Sequence, residues 1–289
     1  MPEWFFQFPF ELSFDLRAID DAIRSFRDNF SGLFDAISMG LIRSVSTVRN
    51  LLNHLPWWLL MALVFLRGWR ASGKIRRGVL YAALLSFIGF VGLWDLMNQT
   101  LAIVIVSVVL SVVIGFPLGV FIAGSDRANR IFLPVLDTMQ TMPVFVYLIP
   151  AIVFFGVGIA PAVIATTIYA VVPLIRLTNL GIRQIDAEVV EAAKAFGSTK
   201  MQALIKVQIP QAMQTIKAGL NQTLMMAMAM VVTGSMVGAG GLGMEVFIGV
   251  NRIEMGRGII AGTCVVILAI LLDRLMQSSE KGGKGGQNE

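Results

Sequence analysis

The sequence predicts an all-α polytopic membrane protein of about seven transmembrane helices with an N-terminal amphipathic helix, on three observations. Hydrophobic residues make up 56% of the 289 positions and charged residues only 14%, with a mean hydropathy of +0.76, far from a soluble globular chain of this length. Uncharged runs occupy residues 50–66, 78–94, 100–123, 138–175, 218–244 and 258–272. The basic residues gather in alternate loops between those runs, so the net charge of +5 follows the positive-inside rule and does not indicate nucleic acid.

Taken in order, residues 1–50 precede any span and lack the basic-then-apolar layout of a signal peptide, so they are expected to be retained. Ile19, Ile23, Phe26, Phe30, Leu33, Ile37, Leu41, Val45, Val48 and Leu52 recur every three or four residues, with Asp21, Arg24, Asp28 and Arg49 between them. That pattern predicts an amphipathic helix on the membrane surface, the alternative being a helix with a coiled-coil partner. A bilayer core takes about 20 helical residues, so the run 138–175 is too long for one span and is cut at the glycines and proline of 156–161. Seven spans result, forming a transmembrane domain over 51–277. The tail 278–289 is Gly-rich and polar and is expected to be disordered.

Loop charge predicts the orientation. Arg67, Arg70, Lys74, Arg76 and Arg77 follow span one, Arg127 and Arg130 follow span three, and Arg183, Lys194, Lys200 and Lys206 follow span five. The loop after span two has only Asp95, the loop after span four has no charge, and the loop after span six mixes Glu245, Arg252, Glu254 and Arg257. The N-terminus is therefore placed outside, which its seven acidic and five basic residues do not oppose, and the C-terminus in the cytoplasm.

One cytoplasmic loop, 187–210, is itself patterned to fold. Val189, Ala192, Ala193 and Phe196 fall at i, i+3, i+4 and i+7, and Met201, Leu204, Ile205 and Gln208 repeat that spacing after Gly197. Gly197 suits the left-handed residue that closes a helix, and Thr199 with Gln202 has the spacing of a capping box that opens the next. The loop is predicted to be a helix-turn-helix.

Glu191, Ala192, Ala193, Gly197, Val207, Ile209 and Pro210 resemble the EAA loop of ABC-importer permeases, E-A-A-x3-G-x9-I-x-L-P, with two conservative aliphatic departures and intact spacing. DTMQTMPVFVYLIP at 137–150, VPLIRLTNLGI at 172–182 and NQTLMMAMAMVV before the glycine-rich GAGGLG extend the likeness to the permeases of glycine betaine/proline importers, over roughly residues 92–277. The resemblance implies the type I importer permease fold and a cytoplasmic coupling helix docked on a separate ATPase subunit. Glu191 would accept hydrogen bonds from an ATPase arginine, Ala192 and Ala193 would allow close approach, and Gly197 and Pro210 would shape the turn and the helix that follows.

The resemblance also implies a homodimer of permeases in a bacterial plasma (inner) membrane, two ATP-binding cassette ATPase subunits that carry the ATP and magnesium, and an extracytoplasmic binding protein. Lipid surrounds the spans, and no nucleic acid takes part. The implied cargo is an osmoprotective quaternary amine or close relative: glycine betaine, proline betaine, choline, carnitine or trimethylamine N-oxide. A permease for an amino acid such as methionine is the runner-up, because the EAA loop is shared across substrates. A channel or secondary transporter leaves that loop unexplained, and the spans offer almost no carboxylate for ion coupling.

The translocation path is read from breaks and from motif residues. Pro143, Pro150, Pro161 and Pro173 are expected to interrupt spans four and five, either lining a cavity or acting as packing kinks. Within the motif stretches Met139, Pro143, Tyr147, Asn221, Met225 and Met228 are the path candidates. Met225, Met226, Met228, Met230 and Met236 offer an adaptable wall for a methylated cation, or else fill the core. Asp137 and Arg176 bracket an uncharged stretch and are placed at the cytoplasmic interface, the alternative being a functional depth in the membrane. Gly238, Gly240, Gly241 and Gly243 form either an outer gate or docking site, or an irregular loop.

No catalytic residue and no metal ligand set is expected. The phosphate-loop spacing is missing, His54 is the only histidine, and Cys264 is the only cysteine and lies in an apolar run where packing is its expected role. The chain is not expected to be an enzyme, and the energy must come from a partner.

Overall fold

A computed structural model describes residues 16–281. Those residues are helices joined by turns, with no strand among them. The elements are α1 (Leu16–Asn29), α2 (Ser31–His54), α3 (Trp57–Ser72), α4 (Ile75–Phe90), α5 (Trp94–Ala123), α6 (Asp126–Thr141), α7 (Phe145–Phe155), α8 (Ile159–Arg183), α9 (Ala187–Ala195), α10 (Lys200–Ala203), a π-helical turn (Leu204–Gln208), α11 (Ile209–Gly234), a 3-10 turn (Ser235–Val237), α12 (Leu242–Asn251) and α13 (Met255–Lys281).

Helix α8 is the centre. It packs on α5 along one side and α11 along the other, and is more deeply covered than any other apolar helix. Glycines make these contacts possible. A Cβ on Gly119 of α5 would lie 2.6 Å from Thr178 Cβ and 2.9 Å from the Ile175 carbonyl oxygen, and one on Gly115 would lie 2.8 Å from Val171. Lipid tails are as apolar as leucine, so helix association in a membrane rests on such close van der Waals approach.

Breaks occur where the backbone loses a donor. Leu55 is extended before Pro56, and α2 and α3 meet at 91°. Met142 is likewise extended before Pro143, and α6 and α7 meet at 92°. The expected cut at 156–161 stands: α7 ends at Phe155, Gly156 and Gly158 take φ of +80° and +129°, and α8 begins at Ile159. Of the four prolines expected to interrupt spans, only Pro143 sits at a break. Pro161 lies in the first turn of α8, where its missing N–H costs nothing, and Pro150 and Pro173 lie inside continuous helices.

The span count also differs from about seven. Four helices are long and apolar enough to cross a membrane, and the pairs α2–α3 and α6–α7 raise this to six if each bent pair is one span. The predicted span 50–66 straddles Pro56, and α3 and α4 have 16 residues each, below the roughly 20 a bilayer core takes. The run 218–244 divides at the glycine turn, leaving Met244 on α12.

The amphipathic segment is two helices separated at Phe30. Ile19, Ile23, Phe26, Phe30, Leu33 and Ile37 are exposed, as a surface helix requires, but Val45 is buried and Leu41, Val48 and Leu52 pack against the main core. Arg49 Nη2 donates to Asp95 (2.6 Å), Asn53 to Asp95 (3.0 Å), and buried Asn98 to Asn53 (2.7 Å), fastening α2 to the start of α5. The rings of Phe26 and Phe34 meet Phe154 of α7. The boundary expected at residue 50 therefore falls inside α2. At the other end α13 stays helical through Lys281, so the first part of the expected disordered tail is helix; residues 1–15 and 282–289 lie outside the described residues.

Replacing Gly119 by Val is expected to force α5 away from α8 and cost about 2 kcal/mol or more, as overpacking does. Thermal unfolding in detergent checks this, with Gly262→Ala, inside α13 with nothing within 4 Å, expected to unfold no lower than the parent.

Candidate functional site

The loop after α8 folds as its residues dictate. The Asp186 carboxylate accepts from the Glu188 N–H (3.0 Å) and opens α9. At the other end the Gly197 N–H reaches the Lys194 carbonyl (2.9 Å) and the Ser198 N–H the Ala193 carbonyl (3.1 Å), a Schellman closure. Gly197 has φ +83° with open space around its Cα, so the dihedral alone demands glycine. The capping box is formed: Gln202 N–H to Thr199 Oγ1 at 3.3 Å, Thr199 N–H to Gln202 Oε1 at 2.9 Å.

The second helix does not stop: α10, the π turn, α11 and the 3-10 turn run as one 38-residue helix, Lys200–Val237. The π turn precedes Pro210, whose missing N–H leaves an i−4 carbonyl without its helical partner. α9 is thus joined to α8 by three residues and, through the Gly197 turn, to the helix that becomes α11.

Large apolar side chains stand exposed among the charged ones of this loop. Phe196 is 92% exposed, and Met201 and Ile205 are more than half exposed. Beside it lies a groove of about 760 Å³ between α9, α10 and the ends of α5 and α8. Val190, Glu191 and Lys194 form one wall and Lys200, Met201 and Gln208 another, with the Asp126–Arg183 ion pair at the end. Glu191 is exposed within this groove, Ala192 is exposed and Ala193 half-buried. A partner group must enter the groove to reach Glu191.

A second concave region of about 500 Å³ lies between α6, α8 and α11. The two antiparallel helices α6 and α8 form a polar ladder beside it. Asp126 pairs with Arg183, and Asn179 donates to Asn129 (2.7 Å). Arg176 donates to Gln140 (2.7 Å) and pairs with Asp137 (3.0 Å). Asp137 and Arg176, read from the sequence as two separate charges, are partners.

The path candidates are not one surface. The Tyr147 hydroxyl donates to the Met139 carbonyl across the bend at Pro143, fixing α7 against α6. Met139 is half-buried on a cluster of Ile122, Leu136, Val171, Val172 and Ile175. Asn221 is half-buried and Met225 43% exposed, whereas Met228 is 3% exposed in the main core. Met226 and Met230 also pack in that core, so of the five methionines only Met225 and Met236 offer exposed surface and no continuous methionine wall exists.

The glycines after α11 form an ordered corner on α5. Gly238, Gly240 and Gly241 have φ between +76° and +88°. Thr100 Oγ1 accepts from the Leu242 N–H (2.8 Å), and Gln99 donates to the Ala239 carbonyl (2.8 Å). A Cβ on Gly240 would lie 2.3 Å from Gln99 Nε2 and one on Gly243 2.3 Å from Ser235 Oγ, so packing explains these residues. The exposed His54 ring bonds Asn50, Cys264 is buried, and no cluster of three metal-ligating side chains occurs among the described residues.

Residues 115–282 match the family described as the binding-protein-dependent transport system inner membrane component. The glycine betaine transport system permease protein of Bacillus subtilis (strain 168) is 46% identical over 86% of this chain and 88% of its own length. The glycine betaine/carnitine transport permease protein of Listeria monocytogenes is 45% identical over 88% and 92%. Among solved structures, a chain of the inward-facing MetNI methionine ABC transporter aligns with a TM-score of 0.54 at 25% identity, over 63% of this chain and 90% of that one.

Gly197→Val forces a β-branched residue into the left-handed region, at roughly 1–2 kcal/mol. Amide hydrogen exchange is expected to speed up over 187–203 while the α5–α8 core keeps its protection; unchanged exchange in that turn would contradict this reading.

Proposed function

Because this chain belongs to the binding-protein-dependent transport system inner membrane components, we propose that it is the permease subunit of an ATP-driven importer of compatible-solute quaternary amines. The relatives that match it over most of their length are glycine betaine permeases, one of them also for carnitine, and this supports the cargo class. The methionine alternative rests on a more distant likeness over less of the chain. A separate ATPase subunit binds ATP and magnesium, an extracytoplasmic binding protein delivers the solute, and two copies of the permease form the path. The basic loops lie in the cytoplasm, with the N-terminus outside and the C-terminus inside. This requires an odd number of crossings, so the packed pair α3 and α4 cross as two short spans beside α5, the α6–α7 pair, α8, α11 and α13.

The observation that carries this reading is the α9–α10 unit: a capped, glycine-closed hairpin with exposed Phe196, Met201 and Ile205 beside a groove that contains Glu191. Exposed apolar side chains mark a protein- or membrane-interaction surface, and the adjacent groove lined by Glu191, Lys194 and Lys200 favours a protein partner here. The Glu191 carboxylate accepts charge-assisted hydrogen bonds from an arginine of the ATPase inserted into the groove. Ala192 and Ala193 keep the helix face low, and Gly197 and Pro210 hold the turn and the helix start. Closure of the ATPase pair then moves α9, and with it α8 and α11, opening the path outward; hydrolysis resets it inward. Channel and secondary-transporter readings leave this docking unit without a use.

The test is uptake of radiolabelled glycine betaine, carnitine, choline and trimethylamine N-oxide into proteoliposomes containing the chain, its ATPase and its binding protein, with and without internal ATP. ATP-dependent accumulation is expected for the parent and a fall of at least tenfold for Glu191→Arg, which places like charge against the ATPase arginine. ATP-independent flux that persists in the variant would overturn the reading.

A further inference from the structure

The ion pair between Asp137 and Arg176 is unusual for its place. Arg183 marks the end of α8, and Arg176 lies seven residues, about 10 Å, further into that apolar helix. Ionisable groups at such depth are costly and face water or a partner, not lipid. The pair is not buried either: the Arg176 side chain is 40% exposed and that of Asp137 56%. The Arg49–Asp95 pair is exposed to a similar degree and joins two helix ends; what sets Arg176 apart is the concave region it lines.

Arg176 lines the 500 Å³ region with Gln140, Asn179 and Gln222. Asn179 is 4% exposed, and its Oδ1 has no hydrogen-bond partner although its amide nitrogen is held by Asn129. The volume falls in the usual range of small-molecule sites. None of its lining residues is aromatic, so it lacks the cage that holds a methylated cation tightly.

We infer that this pair is a transit site for zwitterionic solutes, in which Arg176 takes a carboxylate and Asp137 the ammonium end of the same molecule. The guanidinium has five donors, and its bonds to Gln140 and Asp137 leave others for a carboxylate. A zwitterion lying along an ion pair adds no net charge and pairs both of its ends, so it enters at a smaller charge-burial cost than a cation without a carboxylate, which would leave the site positive. The absence of an aromatic cage keeps residence short, as a path requires. Carboxylate-bearing betaines are thereby favoured over choline. This assignment rests on the quaternary-amine reading above.

The test is ATP-dependent uptake of radiolabelled glycine betaine by the reconstituted permease, ATPase and binding protein, comparing the parent with Arg176→Gln and with the double variant Asp137→Asn, Arg176→Gln. Co-purification of the ATPase reports assembly, and the double variant leaves no unpaired charge. Both variants are expected to lose uptake at least tenfold. If the pair is only structural, the double variant regains parental uptake, and that result overturns the site, as does parental uptake by Arg176→Gln. If the parent complex accumulates no quaternary amine, the cargo reading itself fails and the ligand assigned to the pair falls with it.

Discussion

Close backbone approach around α8 is the constraint on which the rest depends. Gly115 and Gly119 of α5 face Val171, Ile175 and Thr178; Gly219 of α11 faces Leu174 and Leu177; Gly234 faces Ala162; and Gly181 of α8 itself faces Thr215. A Cβ at Gly115, Gly119 or Gly181 would come closer than 3.0 Å to a neighbour, and at Gly219 or Gly234 it would sit tight at 3.0 Å. In a solvent of lipid tails this contact replaces the hydrophobic effect as the force between helices. It also makes α5, α8 and α11 one body, so a displacement applied at one end of α8 is not absorbed within the bundle.

The proposed coupling follows from that rigidity. α9 hangs from α8 by Gln184, Ile185 and Asp186, and the helix after Gly197 is continuous with α11. Both attachments lead into helices locked together by glycine contacts. The local irregularities are the Gly197 turn and the π turn before Pro210, with exposed Met201 between them, Phe196 just before the first and Ile205 within the second. A docking unit hinged on two local irregularities can fit its partner while still moving the whole bundle.

The polar groups show a division of labour along the chain. At one side Arg49, Asn53, Asp95 and Asn98 join α2 to α5, with the buried Asn98 amide donating to Asn53. At the other, the α6–α8 ladder leaves Arg176 and Asp137 partly open beside a cavity. The two pairs are exposed to similar degrees and differ in setting: Arg49–Asp95 joins helix ends, whereas Arg176 opens on a concave region.

Local chemistry was legible in the sequence because it needs no knowledge of distant residues. The helix-turn-helix at 187–210, its left-handed Gly197, the Thr199–Gln202 box and the break at 156–158 depend on neighbours a few positions apart, and the membrane class follows from composition. What covers a helix face is a different matter. Periodicity showed that Leu41, Val45, Val48 and Leu52 share a face but not that α5 would cover it, and it put Met225 and Met228 together although only Met228 is buried. Proline marked four possible breaks, of which the structure uses one, because a proline in a first turn or in a supported helix frees no group that must be re-satisfied. Arg176 and Asp137 stand 39 positions apart with nothing in their local pattern to join them. Their pairing was decided by the crossing of α6 and α8, since in a helical bundle sequence determines which face is polar and only tertiary packing determines which polar faces meet.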